Sequence, residues 1–304
     1  MATNTPFGQR LGLVLEGGAM RGIYTAGVLD VFLEAGIMPD VVVGVSAGAL
    51  HGCSYVAGQK GRSIRYYRKY RSDKHFMGLY SLLTTGDVVG TKFCYEDIPL
   101  RLDPFNEAAF EKAPVDFYVT VTNVRTGKPE YILCDELKVG SKMDVIRAGA
   151  SMPLCSKMVE WNGNLYLDGG VSDSIPYAKM KDFGCRKSIV VLTQPAGYLK
   201  QPAVMAPFEA MYRKYPAFVE AMRGRDQMYN TEVCAVEQAA KQGDVFLIRP
   251  SKLLHVGRME HDIEVLNAQY ELGRQDARNQ MDAMREWDFF RFRRLSQKKR
   301  RDYR

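Results

Sequence analysis

The run Asp40-Val-Val-Val-Gly-Val-Ser-Ala-Gly-Ala-Leu50 restricts this chain more than any other stretch. Four of its first six residues are valine, the composition of a strand buried on both faces, as in parallel sheets covered by helices. The strand runs without a linker into Gly44-Val-Ser-Ala-Gly48 and then into small and apolar residues that suit a helix. A serine at so tight a strand-to-helix turn sits on strained backbone with its hydroxyl pushed into the open. Gly44 and Gly48 fit because side chains two residues either side of the serine would collide in the turn. The stretch predicts an α/β fold and a nucleophile at Ser46.

The 304 residues suffice for one large α/β domain or two small ones. An apolar content of 46% with 25% charge is that of a globular protein. No apolar run has the length of a bilayer span, and residues 1–10 lack the apolar core of a secretory signal. The six cysteines (Cys53, Cys94, Cys134, Cys155, Cys185, Cys234) are scattered with no Cys-x-x-Cys pair. That pattern predicts free thiols in a reducing cytoplasm, and neither a metal site nor a disulfide framework. Residues 285–304 hold nine Lys/Arg against three Asp/Glu, +6 of the net +7, so the body is nearly neutral. The basic character belongs to the tail and says little about an active site.

Residues 10–16 read as an apolar strand leading into Gly17-Gly-Ala-Met-Arg-Gly22. A helix follows with Ala26, Leu29 and Leu33 on one face, ended by Gly36 and Pro39. The valine strand comes next, so the first two strands are expected to be parallel neighbours. Residues 62–71 predict a basic, tyrosine-rich helix, either a solvated face with tyrosines packed inward or a contact for anionic headgroups. Residues 72–115, broken by Gly78, Gly86, Gly90, Pro99 and Pro104, read as irregular cover for a pocket. Residues 116–123 and 129–134 predict strands joined at Thr126-Gly127, and a helix over 143–151 stops before Pro153. Residues 159–161 and 165–167 flank Asn162-Gly163, a hairpin signal, and the second strand runs into Asp168-Gly-Gly170. Strands at 188–193 and 245–248 bracket helices near 207–223 and 226–241, and a long helix spans roughly 262–287. No repeat is present. One three-layer α/β/α domain over 1–287 is the simplest account, with a core of about 10–195, a helical part of about 196–287 and a basic tail over 288–304.

The loop Gly17 to Gly22 puts consecutive backbone N–H groups at a helix N-terminus, a turn that binds negative charge. Beside a serine nucleophile, the amides of Gly17, Gly18 and Ala19 would join that of Ala47 in an oxyanion hole. A dinucleotide site begins the same way but wants an acidic residue at the end of the second strand. Asp40 stands at the start of that strand, and the elbow occupies its end. A serine hydroxyl also needs a base. His51 lies five residues past Ser46 on the same helix and points elsewhere, and His75 is in the irregular stretch. His255 and His261 come late, where an α/β-hydrolase puts its histidine. The other choice is a carboxylate at a strand end. Asp168 fits, although Asp168-Gly-Gly170 is also the composition of a plain turn.

Together, Gly17-Gly-Ala-Met-Arg-Gly22, Gly44-Val-Ser-Ala-Gly48 and Asp168-Gly-Gly170, in that order and spacing, resemble the patatin-like phospholipases. The likeness spans roughly residues 10–195 and includes Asp168 to Pro176; the C-terminal half is similar to a bacterial branch. The resemblance implies a three-layer fold with a mostly parallel central sheet. It also implies a dyad in which Ser46 attacks an ester carbonyl and Asp168 takes its proton. Phospholipid or other fatty acyl esters would then be hydrolysed through an acyl-enzyme, without metal or cofactor. Arg21, Gly22, Gly169 and Gly170 complete the motifs. The family's loop usually carries a third glycine where this chain has Ala19. The backbone N–H survives that change, so the hole should still form, and the added methyl bears on which acyl groups fit.

In the tail, Trp287, Phe289, Phe290, Phe292 and Leu295 alternate with Arg291, Arg293 and Arg294 ahead of Lys298-Lys-Arg-Arg301. Aromatics mixed with cations suit an anionic bilayer surface, where each basic residue adds about 1 kcal/mol. The same composition fits a partly packed helix with a solvated end. No reading motif accompanies the charge, so no nucleic-acid partner is expected. The expectation is a cytoplasmic lipid acyl hydrolase, peripheral at the inner face of the membrane. The competing readings are an α/β-hydrolase esterase using His255 or His261 and a non-catalytic lipid-binding protein that keeps the fold. The esterase is weakened because the elbow follows only the second strand.

Overall fold

Valine-rich strands need partners on both edges and cover on both faces, and the structure, a computed structural model describing residues 5–287, supplies both. Eight strands form one sheet: β1 (Arg10–Leu15), β2 (Val41–Val45), β3 (Asp116–Asn123), β4 (Pro129–Leu133), β5 (Val159–Trp161), β6 (Asn164–Asp168), β7 (Cys185–Val191) and β8 (Val245–Ile248). Their order is β5-β6-β3-β2-β1-β7-β8, with β4 also pairing β3. β3, β2, β1, β7 and β8 run parallel. β4 and β6 meet β3 antiparallel, and the β5–β6 hairpin closes that edge. Asn162 and Gly163 take φ of 46° and 73° at the hairpin turn, as a tight primed turn requires.

Side chains alternate across the pleat and so build two cores. Val42 of β2 and Leu11, Leu13 and Leu15 of β1 join the core beneath α1 (Ile23–Ala35) and α2 (Ala47–Val56). Val41, Val43 and Val14 face the other way, onto Tyr229, Val236 and Ala239 of the helix Arg225–Gln242. Helix, sheet, helix is the three-layer α/β/α arrangement expected, with a mostly parallel sheet.

α1 differs from its expectation in one respect. It is buried on every side from Ile23 to Phe32, not along one face. Helix Ile263–Asn279 covers its outer side so closely that the backbones touch: a Cβ added at Gly27 would stand 2.1 Å from the Tyr270 carbonyl oxygen, and one at Gly273 2.0 Å from that of Tyr24. Tyr24 donates to Asp276 at 3.0 Å and Tyr270 to Asp30 at 2.5 Å across the same contact.

Several boundaries move. Residues 72–115 are not irregular: they contain helices Leu79–Thr85 and Glu107–Lys112 and a π-helical segment Phe93–Leu102. That segment holds Pro99, whose missing N–H disturbs a regular ladder. The helix expected over 207–223 is two, Ala206–Met211 and Pro216–Arg223, because Pro216 can begin a helix but not continue one. The last helix, capped by Asp262, stops at Asn279 and resumes as Met281–Trp287. α3 (Arg62–Tyr70) turns Tyr66, Tyr67 and Tyr70 inward, as one reading expected, but Arg62 is buried with them. The basic tail over 288–304 lies outside the described residues. Among those described, no helix is long and apolar enough to cross a membrane.

Candidate active site

Ser46 sits between β2 and α2 with φ 52° and ψ −123°, a left-handed conformation that costs a non-glycine residue energy. The turn is as tight as the motif predicts. A Cβ at Gly44 would stand 2.5 Å from Ala49 Cα, and one at Gly48 2.3 Å from the Leu15 carbonyl oxygen. The hydroxyl so presented donates a 2.6 Å hydrogen bond to Asp168 Oδ2.

Asp168 arrives there because β6 pairs with β3, which is the neighbour of β2; it ends β6 opposite Val121. Its N–H donates to the Ser151 carbonyl at 2.9 Å, and Thr122 Oγ1 donates to its carbonyl at 2.8 Å. Oδ1 accepts from the Gly170 N–H at 2.8 Å, leaving Oδ2 for the serine. At Gly169 a Cβ would meet the Thr120 carbonyl oxygen at 2.2 Å, so the Asp-Gly-Gly turn presses against the sheet. Burial raises the Asp168 carboxyl above the usual range; the Ser46 hydroxyl and then the Arg225 charge pull it back. A raised carboxyl is a stronger base than an exposed one.

The glycine loop lies over the serine, a Cβ at Gly17 falling 2.8 Å from Ser46 Cβ. The N–H groups of Gly17, Gly18, Ala19 and Ala47 have no protein acceptor among the described residues. Ala19 takes φ 48°, a conformation glycine adopts freely and alanine does not. The Arg21 N–H donates to the Gly18 carbonyl at 3.1 Å. Gly22 packs against α2, where a Cβ would stand 2.6 Å from Ala47 Cβ.

Two cavities meet at Ser46. The first is apolar, lined by Leu50, Tyr66, Phe76, Val89, Ile98 and Ile146 among others, so α3 and the 72–115 segment do cover a pocket. Its one cation, Arg62, is spent on the Ser54 hydroxyl and the Asp103 carbonyl. The second is the more polar of the two, its charged and polar lining including Glu16, Arg21, Lys200, Arg225, Tyr229 and Arg258 together with the dyad. Glu16 accepts from the Thr193 N–H at 2.5 Å and from the Tyr229 hydroxyl at 3.0 Å, and burial raises its carboxyl. Of these residues only Arg21 was singled out from the sequence. Glu16 left one trace, a charge ending an apolar strand just before a glycine loop. Lys200, Arg225, Tyr229 and Arg258 left none, because tertiary packing alone brings them to the serine.

No histidine borders either cavity. His51 is buried with both ring nitrogens unpartnered, and burial pushes it down to about 3. His75 bonds Asp73, and His255 and His261 are exposed. Among the described residues no three or more His, Cys, Asp or Glu gather as a metal site. All six cysteines are free.

A serine on a strand-to-helix elbow, under a glycine loop and against an aspartate in an α/β/α sandwich, defines a class before any relative is considered. The model of a family described as patatin-like phospholipase matches residues 13–180, over half of the sequence, and the chain belongs to that family. A second family, described as a domain of unknown function, matches residues 215–289. The uncharacterized protein YjjU of Escherichia coli is 28% identical over 273 residues, covering 87% of this chain and 75% of that one. Lysophospholipase nte1 of Aspergillus terreus is 30% identical over 182 residues, and lysophospholipase NTE1 of Saccharomyces cerevisiae 30% over 190. The matched part is 58% and 60% of this chain but only 11% of either lysophospholipase. VipD of Legionella pneumophila superposes with a TM-score of 0.47 at 14% identity, over 90% of this chain and 67% of that one.

Proposed function

We propose that this chain is a lipid acyl hydrolase that cleaves fatty acyl esters, phospholipids or lysophospholipids, through a Ser46–Asp168 dyad. The observation that carries the reading is the 2.6 Å hydrogen bond from Ser46 Oγ to Asp168 Oδ2 beside four unpaired amides. The acyl chain enters the apolar cavity and its carbonyl carbon faces Ser46. As Oγ bonds to that carbon, its proton passes to Asp168 Oδ2. The carbonyl oxygen, now negative, is held by the amides of Gly17, Gly18, Ala19 and Ala47, each donor of this kind being worth roughly 3–4 kcal/mol. The carbon–oxygen bond to the alcohol breaks, the alcohol leaves with the proton from Asp168, and a water activated by Asp168 releases the fatty acid.

The relatives named lysophospholipase favour a lipid ester over a peptide or small ester. β8 extends the same sheet and Ile263–Asn279 packs backbone to backbone on α1, which favours one unit over 1–287 with 196–287 as its helical part. Free thiols suit the cytoplasm, and the tail over 288–304 suits the anionic inner face of the membrane. A fluorophosphonate probe tests the chemistry: it should label wild type and not Ser46→Ala, and labelling that survives the substitution would contradict the reading.

A further inference from the structure

The second chamber holds four cations and too little to neutralise them. Arg21 comes from the glycine loop, Lys200 from the link after β7, Arg225 from the first turn of its helix, and Arg258 from the segment before Ile263–Asn279. None of the four forms an ion pair among the described residues. Arg21 Nε is buried without a hydrogen-bond partner. Arg225 donates Nε to the Gly170 carbonyl at 2.6 Å, and Lys200 Nζ lies 4.2 Å from the centre of the Tyr229 ring. Two carboxylates, Glu16 and Asp168, face the same space; with both ionised the formal charge is still +2. Burial lowers Arg225 and Lys200 alike; cationic neighbours lower each further, while Asp168 raises Arg225 and Glu16 raises Lys200.

Positive charge in excess of its carboxylates on the partly buried Arg21, Lys200 and Arg225 is costly unless something binds there. Ser46 lines both this space and the apolar cavity, whereas Asp168 lines this space and not the other. An ester whose acyl group fills the apolar cavity must therefore place its alcohol half among these cations. A neutral alcohol would leave that excess unmatched. A phosphate has the several oxygens that convergent guanidinium and ammonium groups hold best.

We propose that Lys200, Arg225 and Arg258, with Arg21, form a subsite for a phosphate carried on the leaving alcohol, so that acyl esters of phosphorylated alcohols are selected over neutral ones. Three of the four lie outside residues 13–180, and Arg225 and Arg258 lie within the stretch matching a domain of unknown function. That stretch thereby gains a role in choosing substrate. The inference rests on Ser46 being the acyl-transfer nucleophile.

The test compares wild type with the Lys200→Ala/Arg258→Ala double variant on 1-acyl-glycerol 3-phosphate and on monoacylglycerol of the same chain. The ratio of kcat/KM, phosphate over neutral, should fall about tenfold or more in the double variant, as expected for lost charged contacts. Arg258→Lys should retain most of the preference, and added salt should shrink it, since Arg258 is exposed. An unchanged ratio overturns the subsite. Calorimetry on Ser46→Ala separates the two levels: it should bind the phosphate lipid more tightly than the neutral one, and lose that difference with Lys200 and Arg258 replaced. Selective binding with no Ser46-dependent hydrolysis would sink the functional reading and keep the subsite; hydrolysis without selectivity would do the reverse. Inorganic phosphate should compete weakly, and inorganic phosphate binding as tightly as the lipid would make this a free-anion site and overturn the leaving-group assignment.

Discussion

Arg225 Nε donates a 2.6 Å hydrogen bond to the carbonyl of Gly170, two residues past Asp168. The N–H of the same Gly170 holds Asp168 Oδ1, so one residue ties the helix Arg225–Gln242 to the carboxylate that meets Ser46. The C-terminal part of the chain is thus joined to the site by a partly buried polar contact as well as by the sheet.

Arg225→Met should therefore weaken ester hydrolysis about ten- to a hundredfold, the worth of a charged hydrogen bond of roughly 1.5–3 kcal/mol. Arg225 also pulls the Asp168 carboxyl down. Its loss should move the acid limb of kcat/KM to higher pH, a shift that a purely structural contact would not produce.

Asp168→Asn should raise stability at neutral pH. Burial holds the Asp168 carboxyl above its ordinary value. Between the unfolded and folded values the native state keeps a proton that the unfolded chain has lost, so stability falls as pH rises through that window. Above the window the whole penalty of a buried charge is present; below about pH 4, the unfolded value, it is absent. Thermal melts should show the variant melting higher than wild type at pH 7, with the gap closing in acid. A lower melting temperature at pH 7 would contradict this sign.

Ala19→Gly should leave stability within about 1 kcal/mol, because relief of left-handed strain is offset by the freer unfolded chain of glycine. Ala19 borders both cavities. Removing its methyl should let bulkier acyl groups react, read as a changed order of kcat/KM over a series of acyl p-nitrophenyl esters.

Local chemistry carried most of the fold into the sequence. The valine run, the Asn162-Gly163 turn and Gly36 each specify their conformation within a few residues, and β2, the β5–β6 hairpin and the end of α1 lie where they were expected. The motifs also led to Ser46 and Asp168, which the structure brings to 2.6 Å. What was not legible depends on contacts between distant segments. Gly27 and Gly273 look like weak points in two helices until the helices are seen pressed backbone to backbone. Within residues 72–115 the π-helical segment Phe93–Leu102 was hidden by Pro99, and it lines the apolar cavity through Cys94, Tyr95 and Ile98. The cations at 200, 225 and 258 sit in ordinary helical and loop sequence, and only the fold gathers them.

The proton acceptor for Ser46 is the centre of the account, and lipid ester hydrolysis by four variants tests it directly. Ser46→Ala and Asp168→Asn should each lower kcat/KM by about 10³ or more, since such groups act as a unit. His255→Ala and His261→Ala should stay within a few-fold of wild type. Full activity in Asp168→Asn, with loss on replacing either histidine, would contradict the dyad.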